Sequence, residues 1–541
     1  MTFADFALPF LPEILVLAGV LLVLLLDVIG VRRIEVFGSI TVGATLLALL
    51  FVIADLGFTP FAALATIPAG RIDIPLATVG TPLYSFTSLG FVFQAIFLSA
   101  TLLVSLASMS RPSREPGAAV FYALVGMATL GMLLVGIASD LIFLLLSIEV
   151  ASIATYLLVG YTRRDPRSLE AAMKFYVIGA LSTVISFFGA SLLFGAYGST
   201  NLYYIRSVGG AVGYPTLILL GYGLLIAGLA FKVTLVPFHA WAVDVYDGAP
   251  SDVSAFLAGG TKKIGLFAFF LVFLGPVLYF TAAGTSNPFN ASVGTPLNTG
   301  PIFQIVLGVI AVVTMTVGNV LALMQKEMKR MLAYSSISQA GYIMIGIVIG
   351  TSPAIAGAAI AGATLQIFSH TFMKTGAFLV VAAVASLGIG PLISDWKGLG
   401  QRRPWLSVAF ALMLLSLAGV PLTVGFVSKF VLFSAAVQAQ GYFVWLAVAG
   451  LLNSALSVFY YGRVLKVMFF DPPDPVATGP SEVREVGGGS GPRRLAVGGL
   501  GYARAGTIAL VAVVIVAFGI YPQAILGPIQ SAAQHFLIAG A

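Results

Sequence analysis

The chain has 541 residues, of which 59% are hydrophobic and only 9% are charged. Soluble domains carry roughly 25% charged residues, so this composition excludes an ordinary globular protein and indicates an integral membrane protein. The sequence contains no cysteine, which excludes disulfides, iron–sulfur clusters and thiolate-bound zinc in this chain. The net charge of +7 could indicate an anionic partner, but the positions of the basic residues explain it without nucleic acid.

Runs of about 20 mostly apolar residues mark helices that can cross a bilayer. Fourteen such runs predict an all-α, polytopic protein with a single membrane domain over residues 1–541. The predicted spans are 10–30, 34–54, 84–109, 117–138, 140–160, 170–197, 216–238, 250–281, 301–325, 329–350, 353–388, 405–436, 441–469 and 504–530. Residues 471–503, rich in proline and glycine, are predicted to form a cytoplasmic linker before the last helix.

The loops divide the basic residues very unequally. Of the 27 lysines and arginines, 17 lie in loops that follow odd-numbered spans, whereas only Arg71 and Arg206 lie in the loops on the opposite side. Because cytoplasmic loops are enriched in lysine and arginine, we predict that both termini face away from the cytoplasm. The expected location is the cell (inner) membrane of a prokaryote.

Two segments interrupt an apolar helix with proline and carry one lysine each. Residues 224–240 are LLIAGLAFKVTLVPFHA, and residues 414–430 are LLSLAGVPLTVGFVSKF. Matching broken helices in two halves of a chain are typical of inverted repeats, with the ion site at the breaks. We therefore predict two inverted five-helix repeats with broken helices 7 and 12. Three helices over about 10–109 precede the repeats, which span about 117–281 and 301–469.

Five lysines, together with Glu149, His239 and His370, interrupt the apolar stretches. The lysines are Lys232, Lys262, Lys263, Lys374 and Lys429. A charged side chain at the bilayer centre costs at least about 2.5–3.5 kcal/mol, and such residues usually mark a path for ions or protons. No pattern of metal ligands accompanies them, so we predict proton transfer and no metal site.

Glu149 and Lys232 have similar predicted depths in the membrane. A direct ion pair at about 4 Å would gain roughly 4 kcal/mol, so making or breaking it would switch Lys232 between holding and releasing a proton. The alternative is a static salt bridge that fixes helix packing. His239 follows Lys232 by two helical turns, but Pro237 lies between them, and both a relay and a structural role remain open for this histidine.

The remaining lysines extend the series along the chain. Lys262 and Lys263 are adjacent and point about 100° apart on a helix, so spacing does not decide which of them faces the axis. His370 and Lys374 are four residues apart and share a helix face, which predicts a bridge between Lys262 and Lys429. With no acid nearby in sequence, Lys429 is predicted to face water or a neighbouring subunit.

Three acids, Asp244, Asp247 and Asp252, cluster after the first broken segment. They are predicted to lie together at the cytoplasmic mouth of the path. There they either collect protons or are simply solvated.

Five long segments carry a family resemblance. They are EVASIATYLLVGYTRRDPRSLEAAMKFYVIGALS, VPFHAWAVDVYDGAPSDVSAFLAGGTKK, EMKRMLAYSSISQAGYIMIG, LAGVPLTVGFVSKFVLFSAAV and LLNSALSVFYYGRVLKVMFF. Over about residues 120–470 the chain resembles the N-type antiporter-like subunit of respiratory complex I. SHTFMKTGAF is more similar to the sibling L- and M-type subunits and to multisubunit cation/proton antiporters.

The resemblance implies a fourteen-helix, proton-translocating subunit in the membrane arm of an NADH–quinone oxidoreductase or a related quinone reductase. It assigns proton transfer to Glu149, Lys232, Lys262 and Lys429, with uptake near the first two and exit or lateral transfer at Lys429. Quinone and the redox cofactors are expected in partner subunits, and this chain is expected to bind none. The expected partners are other membrane-arm subunits, including sibling antiporter-like subunits, and the lipid bilayer.

Two other functions are compatible with the sequence. One is a subunit of a multisubunit antiporter that exchanges sodium or potassium for protons, or of a membrane-bound hydrogenase-type complex. A cation site favours carboxylates and carbonyls over lysines, which argues against the antiporter. The other is a scaffold that moves no protons, in which substitution of the lysines would have no effect on transport.

Overall fold

The computed structural model describes residues 8–57, 83–112, 117–208, 214–274, 299–352, 354–473 and 501–538. Within these ranges every regular element is a helix, joined by isolated bridges between loops. Helices satisfy all their backbone hydrogen bonds internally, as lipid requires of a membrane-spanning segment. The predicted all-α, polytopic fold is confirmed.

The described helices give thirteen candidate spans by length and composition, and a further span in two short pieces. In chain order the helices are α1 Leu11–Val28, α2 Ile34–Asp55, α3 Ser88–Ser108, α4 Ala118–Gly136, α5 Leu141–Val159, α6 Pro166–Tyr197, α7a Pro215–Val233, α7b Ala240–Gly248, α8 Ser251–Leu274, α9 Thr299–Met324, α10 Met328–Ile349, α11 Ala356–Ser386, α12a Pro404–Ala418, α12b Val424–Gln438, α13 Val444–Phe469, α14 Tyr502–Ile520 and α15 Gln523–Ile538. The predicted linker falls mostly outside the described residues.

Both predicted breaks are present, and each begins at a residue in the left-handed conformation. Helix α7a ends at Val233 and is followed by Thr234 with φ +67°. Helix α12a ends at Ala418 and is followed by Gly419 with φ +91°, where glycine adopts the left-handed conformation without a steric penalty. The backbone carbonyls of the last turn before each break therefore lack helical partners.

The predicted extent of the last helix is wrong. Instead of one helix over 504–530, α14 ends at Ile520 and α15 begins at Gln523. Tyr521 between them has an extended conformation, with φ −122° and ψ 72°. The cause is Pro522, because a residue that precedes proline is disfavoured in the helical conformation.

The lysine-bearing helices α8 and α11 lie at the centre of the molecule together with α10. In an 18-residue apolar stretch of each helix, all residues of α11 are buried, as are 94% of those in α10 and 89% of those in α8. In α1 and α14 only 28% of the residues in such a stretch are buried. The central helices therefore contact protein on all sides, whereas the outer helices present apolar faces to their surroundings.

Equivalent glycine contacts support the repeat. A Cβ at Gly131 of α4 would lie 2.5 Å from the backbone nitrogen of Ala151 in α5. A Cβ at Gly318 of α9 would lie 2.6 Å from the backbone nitrogen of Ser338 in α10. The two pairs have the same separation in sequence, so the first two helices of each predicted repeat pack through the same contact.

We predict that Gly131→Ala destabilises the protein by about 1–3 kcal/mol, because the added methyl group must push apart two backbones. Gly195→Ala in α6 is the matched control, since a Cβ there meets nothing within 4 Å. Thermal denaturation of the detergent-solubilised protein would measure the difference. Equal melting temperatures for the two variants would show that the α4–α5 contact is not tight.

Candidate functional site

The first part of the site joins α7a to α5 and α6. In the last turn of α7a, the Lys232 Nζ donates hydrogen bonds to Ser152 Oγ at 2.6 Å and to Tyr156 Oη at 3.0 Å, both on α5. One turn before Ser152, Glu149 accepts a hydrogen bond from Thr183 Oγ1 of α6 at 2.8 Å. The lysine and the glutamate therefore lie in one polar layer between three helices.

The predicted direct ion pair between Glu149 and Lys232 is wrong. The two groups interact electrostatically, but each binds hydroxyl groups and they are not within 4 Å of each other. The sequence gives the depth of each residue along its helix, and it correctly indicates that Glu149 and Lys232 lie at a similar level. It does not reveal how the helices are rotated against each other. In the structure α5 presents Ser152 and Tyr156 to the amine of Lys232. The ligands of both groups are thus neutral hydroxyls, and the switch between Glu149 and Lys232 stays a prediction.

The second part of the site begins where α8 crosses α7a. A Cβ at Gly265 would lie 3.0 Å from the Cβ of Lys232, so the glycine allows a close approach one turn beyond Lys262. Lys262 is buried, and its Nζ donates to the carbonyl oxygen of Ser336 in α10 at 2.7 Å. His239, just before α7b, interacts electrostatically with Lys262. The histidine therefore lies on the side of the break that faces the second lysine.

Both adjacent lysines of α8 point into the protein. Lys263 is fully buried, donates to the carbonyl oxygen of Ala258 at 2.9 Å and contacts Nδ1 of His370 in α11. A π-helical turn over Leu257–Thr261 precedes the pair, a feature often found at functional sites. Lys262 thus contacts α10 and Lys263 contacts α11, which answers the question that spacing left open.

His370 and Lys374 connect α11 to α8 and α10 respectively. Their predicted role as a bridge between Lys262 and Lys429 stays a prediction. The Lys374 Nζ donates to the carbonyl oxygen of Leu332 and to Ser335 Oγ, both at 2.8 Å. His370 Nδ1 faces the amine of Lys263, and when that amine is charged it only donates. Nδ1 is then the acceptor, and a neutral His370 carries its proton on Nε2.

The third part of the site is the second helix break. Lys429 of α12b donates to the carbonyl oxygens of Leu417 at 2.8 Å and Ala418 at 3.1 Å, in the last turn of α12a. It also donates to Ser454 Oγ of α13 at 2.9 Å, and its Nζ lies 4.9 Å from the ring centroid of Tyr342.

The prediction that Lys429 faces water or a neighbouring subunit is wrong, because its side chain is only 4% exposed. The carbonyls at the end of α12a attract the cation, as helix C-termini generally do. The break that exposes those carbonyls thus provides the lysine with oxygen ligands inside the protein.

Sequence reasoning missed the role of α10. Its Ser335 binds Lys374, the carbonyl oxygen of its Ser336 binds Lys262, and the ring of its Tyr342 lies beside Lys429. The segment SSISQAGY contributed to the family resemblance, but no residue in it was assigned a function. The available signal was the close spacing of serine, glutamine and tyrosine side chains within an apolar span, because such groups could have been expected to bind the lysines.

The predicted acidic cluster is only partly present. Asp244 of α7b accepts hydrogen bonds from Lys174 at 3.0 Å and Arg330 at 3.2 Å, and Arg330 also lies 3.7 Å from Asp247. These two aspartates are thus ion-paired. Near them, between α9 and α10, burial and the Asp247 carboxylate raise the pKa of Glu327.

Asp252 differs from the other two acids in its ion-pair partners, and it is not solvated. It is buried at the start of α8, and its Oδ2 lies 2.9 Å from Arg111 Nε and 3.3 Å from Arg504 Nη2. Arg111 follows α3 and Arg504 belongs to α14. The carboxylate therefore fastens α14 to α8, the helix that carries Lys262.

Comparison with known proteins gives the family. The family profile described as NADH:quinone oxidoreductase/Mrp antiporter, TM matches residues 138–457. The chain belongs to this family. It is 38% identical over 473 residues to F(420)H(2) dehydrogenase subunit N of Methanosarcina mazei, covering 86% of this chain and 89% of that protein.

Two further similarities agree with this assignment. The chain is 40% identical over 405 residues to NADH-quinone oxidoreductase subunit N of Trichlorobacter lovleyi, covering 73% of this chain and 77% of that protein. It also matches a chain in the structure of respiratory complex I from Thermus thermophilus with a TM-score of 0.70 and 26% identity, covering 95% of this chain and 98% of that one. The predicted resemblance to the N-type subunit is confirmed.

We predict that Asp252→Asn destabilises the protein by about 3 kcal/mol, because it leaves two buried guanidinium groups without their carboxylate. Asp247→Asn is the matched control, since that carboxylate is partly exposed. Thermal denaturation of the purified protein would compare the two variants. A melting temperature for Asp252→Asn no lower than that of the control would contradict the fastening role.

Proposed function

We propose that this chain is the proton-translocating N-type subunit in the membrane arm of a redox-driven quinone reductase of the complex I type. One observation carries the proposal: in the described part of the chain, none of the five lysines that interrupt the apolar stretches forms an ion pair with an acid. Their amines instead bind hydroxyl and carbonyl oxygens.

Unpaired buried amines suit proton transfer for an electrostatic reason. Lys262, Lys263 and Lys374 interact electrostatically with one another, and like charges repel strongly where the dielectric constant is low. Loading a proton on one amine therefore disfavours a proton on the next, and the three groups titrate as a coupled set. A proton that arrives from one side is released on the other.

The geometry suggests an order of transfer. Glu149 and Lys232 receive the proton, Lys262, Lys263, His370 and Lys374 hold it at the centre, and Lys429 passes it to the exit or to a neighbouring subunit. His239, at the first break, acts as a secondary relay in this proposal, which its electrostatic interaction with Lys262 supports. Hydroxyl groups such as those of Ser152 and Tyr156 stabilise a charged amine without neutralising it.

The energy must come from outside this chain. Moving one charge against 100 mV requires about 2.3 kcal/mol, and the sequence has no nucleotide-binding signature. We propose that partner subunits hold the quinone and the redox cofactors and that this chain contains no redox centre. The named relatives use different donors, F(420)H(2) and NADH, so other subunits would determine the electron donor.

The placement in the cell follows from the loops. The excess of lysine and arginine on one side supports insertion in a prokaryotic cell membrane with both termini on the non-cytoplasmic side. Other membrane-arm subunits, including sibling antiporter-like subunits, would cover the apolar outer faces that lipid does not. Arg330, Asp244 and Glu327 would then lie at the cytoplasmic surface, near the beginning of the proton path.

We expect Lys232→Ala and Glu149→Gln each to abolish most proton pumping by the assembled complex, because each removes one of the two titratable groups that begin the series. Pumping is measured as protons moved per electron in reconstituted vesicles. Lys466→Ala is the control, since that lysine is exposed near the end of α13. Normal pumping by both variants, with the subunit present, would support a scaffold instead.

Sodium dependence distinguishes the proposed function from cation exchange. Among the described residues no group of three or more metal-ligating side chains could hold a cation. We therefore expect the rate of proton pumping to be unchanged when choline replaces all sodium and potassium. A rate that falls in choline and recovers on adding sodium would identify the chain as an antiporter subunit.

A further inference from the structure

A second line of buried polar side chains connects Lys374 to Lys429 and is separate from the lysines themselves. It begins at Ser335 Oγ, which accepts a hydrogen bond from the Lys374 Nζ at 2.8 Å. Ser335 in turn shares a hydrogen bond with the hydroxyl of Tyr461 in α13. The Tyr461 hydroxyl interacts with that of Tyr460, and the two rings are 4.3 Å apart.

Asn319 of α9 continues this line to the other lysine. The Tyr460 hydroxyl donates to Asn319 Oδ1 at 3.0 Å. On its other side, Asn319 Nδ2 donates to Tyr342 Oη at 3.2 Å and to the carbonyl oxygen of Asn453 at 3.0 Å. The ring of Tyr342 is the one beside Lys429.

The two ends of the line determine the direction of its hydrogen bonds. A charged lysine amine only donates, and an amide oxygen such as Asn319 Oδ1 only accepts. While Lys374 is charged, Ser335 therefore donates to Tyr461, and Tyr460 donates to Asn319. The electrostatic interaction between the Tyr461 and Tyr460 hydroxyls joins these two hydrogen bonds. Hydrogen bonds in series polarise one another where the dielectric constant is low. When Lys374 is neutral, Asn319 still fixes this direction, but the polarisation that the lysine charge adds to the line is lost.

Asn319 also stops a proton from following the same route. The hydroxyl groups can pass a proton by accepting one and donating another, but an amide nitrogen is a donor only and an amide oxygen an acceptor only. The line therefore transmits polarisation past Asn319 while the proton itself stays on the Lys374 side. Its residues are fully buried, so water does not screen the effect.

We propose that Ser335, Tyr461, Tyr460 and Asn319 form a coupling chain through which the charge of Lys374 controls proton release at Lys429. The proposal rests on the proposed function, because it assigns to these positioning residues the link between two proton-carrying lysines. Tyr342 is the last member, since it joins the Asn319 amide to the aromatic face beside Lys429. The coupling makes release at the exit depend on loading at the centre.

The test uses the intact complex in vesicles, with protons moved per electron as the first readout. Tyr460→Phe removes only the hydroxyl that donates to Asn319, and we expect pumping to fall about threefold to tenfold, as loss of one buried hydrogen bond allows. Tyr246→Phe is the matched control. It is equally buried, and its ring packs on Phe378 away from the coupling chain.

Two further readouts separate coupling from a structural role. Ser335→Ala and Tyr342→Phe alter opposite ends of the chain, and we expect the double variant to pump no less than the worse single variant, since groups that act in series are non-additive. We also expect Ser335→Ala and Tyr460→Phe to shift the pH profile of pumping in the same direction and by the same amount. Independent structural damage would give additive losses and no common shift.

Each outcome decides the proposal. Normal pumping by assembled Tyr460→Phe complex, additive losses at the two ends, or unrelated pH profiles would overturn it. If Tyr460→Phe prevents assembly, Ser335→Ala gives the same comparison, because Lys374 keeps the carbonyl oxygen of Leu332. If Lys232→Ala and Glu149→Gln stop pumping while the coupling chain variants do not, only the coupling fails and the proposed function stands.

Discussion

The structure depends on how five lysine amines are accommodated inside a membrane protein without carboxylate partners. A buried charge needs either an opposite charge or several well-placed dipoles. Here the dipoles come from serine and tyrosine hydroxyls and from backbone carbonyls, as at Lys232 and Lys429. Because these ligands are neutral, each amine can gain or lose its proton without leaving an unpaired acid behind.

This requirement gives a physical reason for the irregular parts of the helices. In a continuous α-helix each carbonyl already accepts a hydrogen bond from the helix and offers a cation only its second lone pair, whereas the carbonyls at the C-terminal end are free of helical partners. The break after Ala418 supplies such an end to Lys429, and the π-helical turn before Lys262 lies where Lys263 binds the carbonyl oxygen of Ala258. The break in helix 12 and the π-helical turn in α8 thus occur where lysine amines bind carbonyl oxygens.

Much of this arrangement could be predicted from sequence, for identifiable reasons. Proline within an apolar run marked both breaks, and charged residues in apolar runs marked the lysines. The hydroxyl ligands of Lys232 could not be predicted, because periodicity gives depth along a helix but not its rotation against a neighbour. The ion pairs of Asp252 could not be predicted either, since its partners Arg111 and Arg504 come from distant parts of the sequence.

The same reasoning explains why α10 was overlooked although it contacts three of the lysines. It carries no charged group at the points of contact, and it offers a serine hydroxyl, a backbone carbonyl and a tyrosine ring instead. Such groups are uncharged at neutral pH, but they determine how far apart the amines lie and what each amine can donate to. A proton path of this kind is thus defined as much by the neutral helix that spaces the lysines as by the lysines.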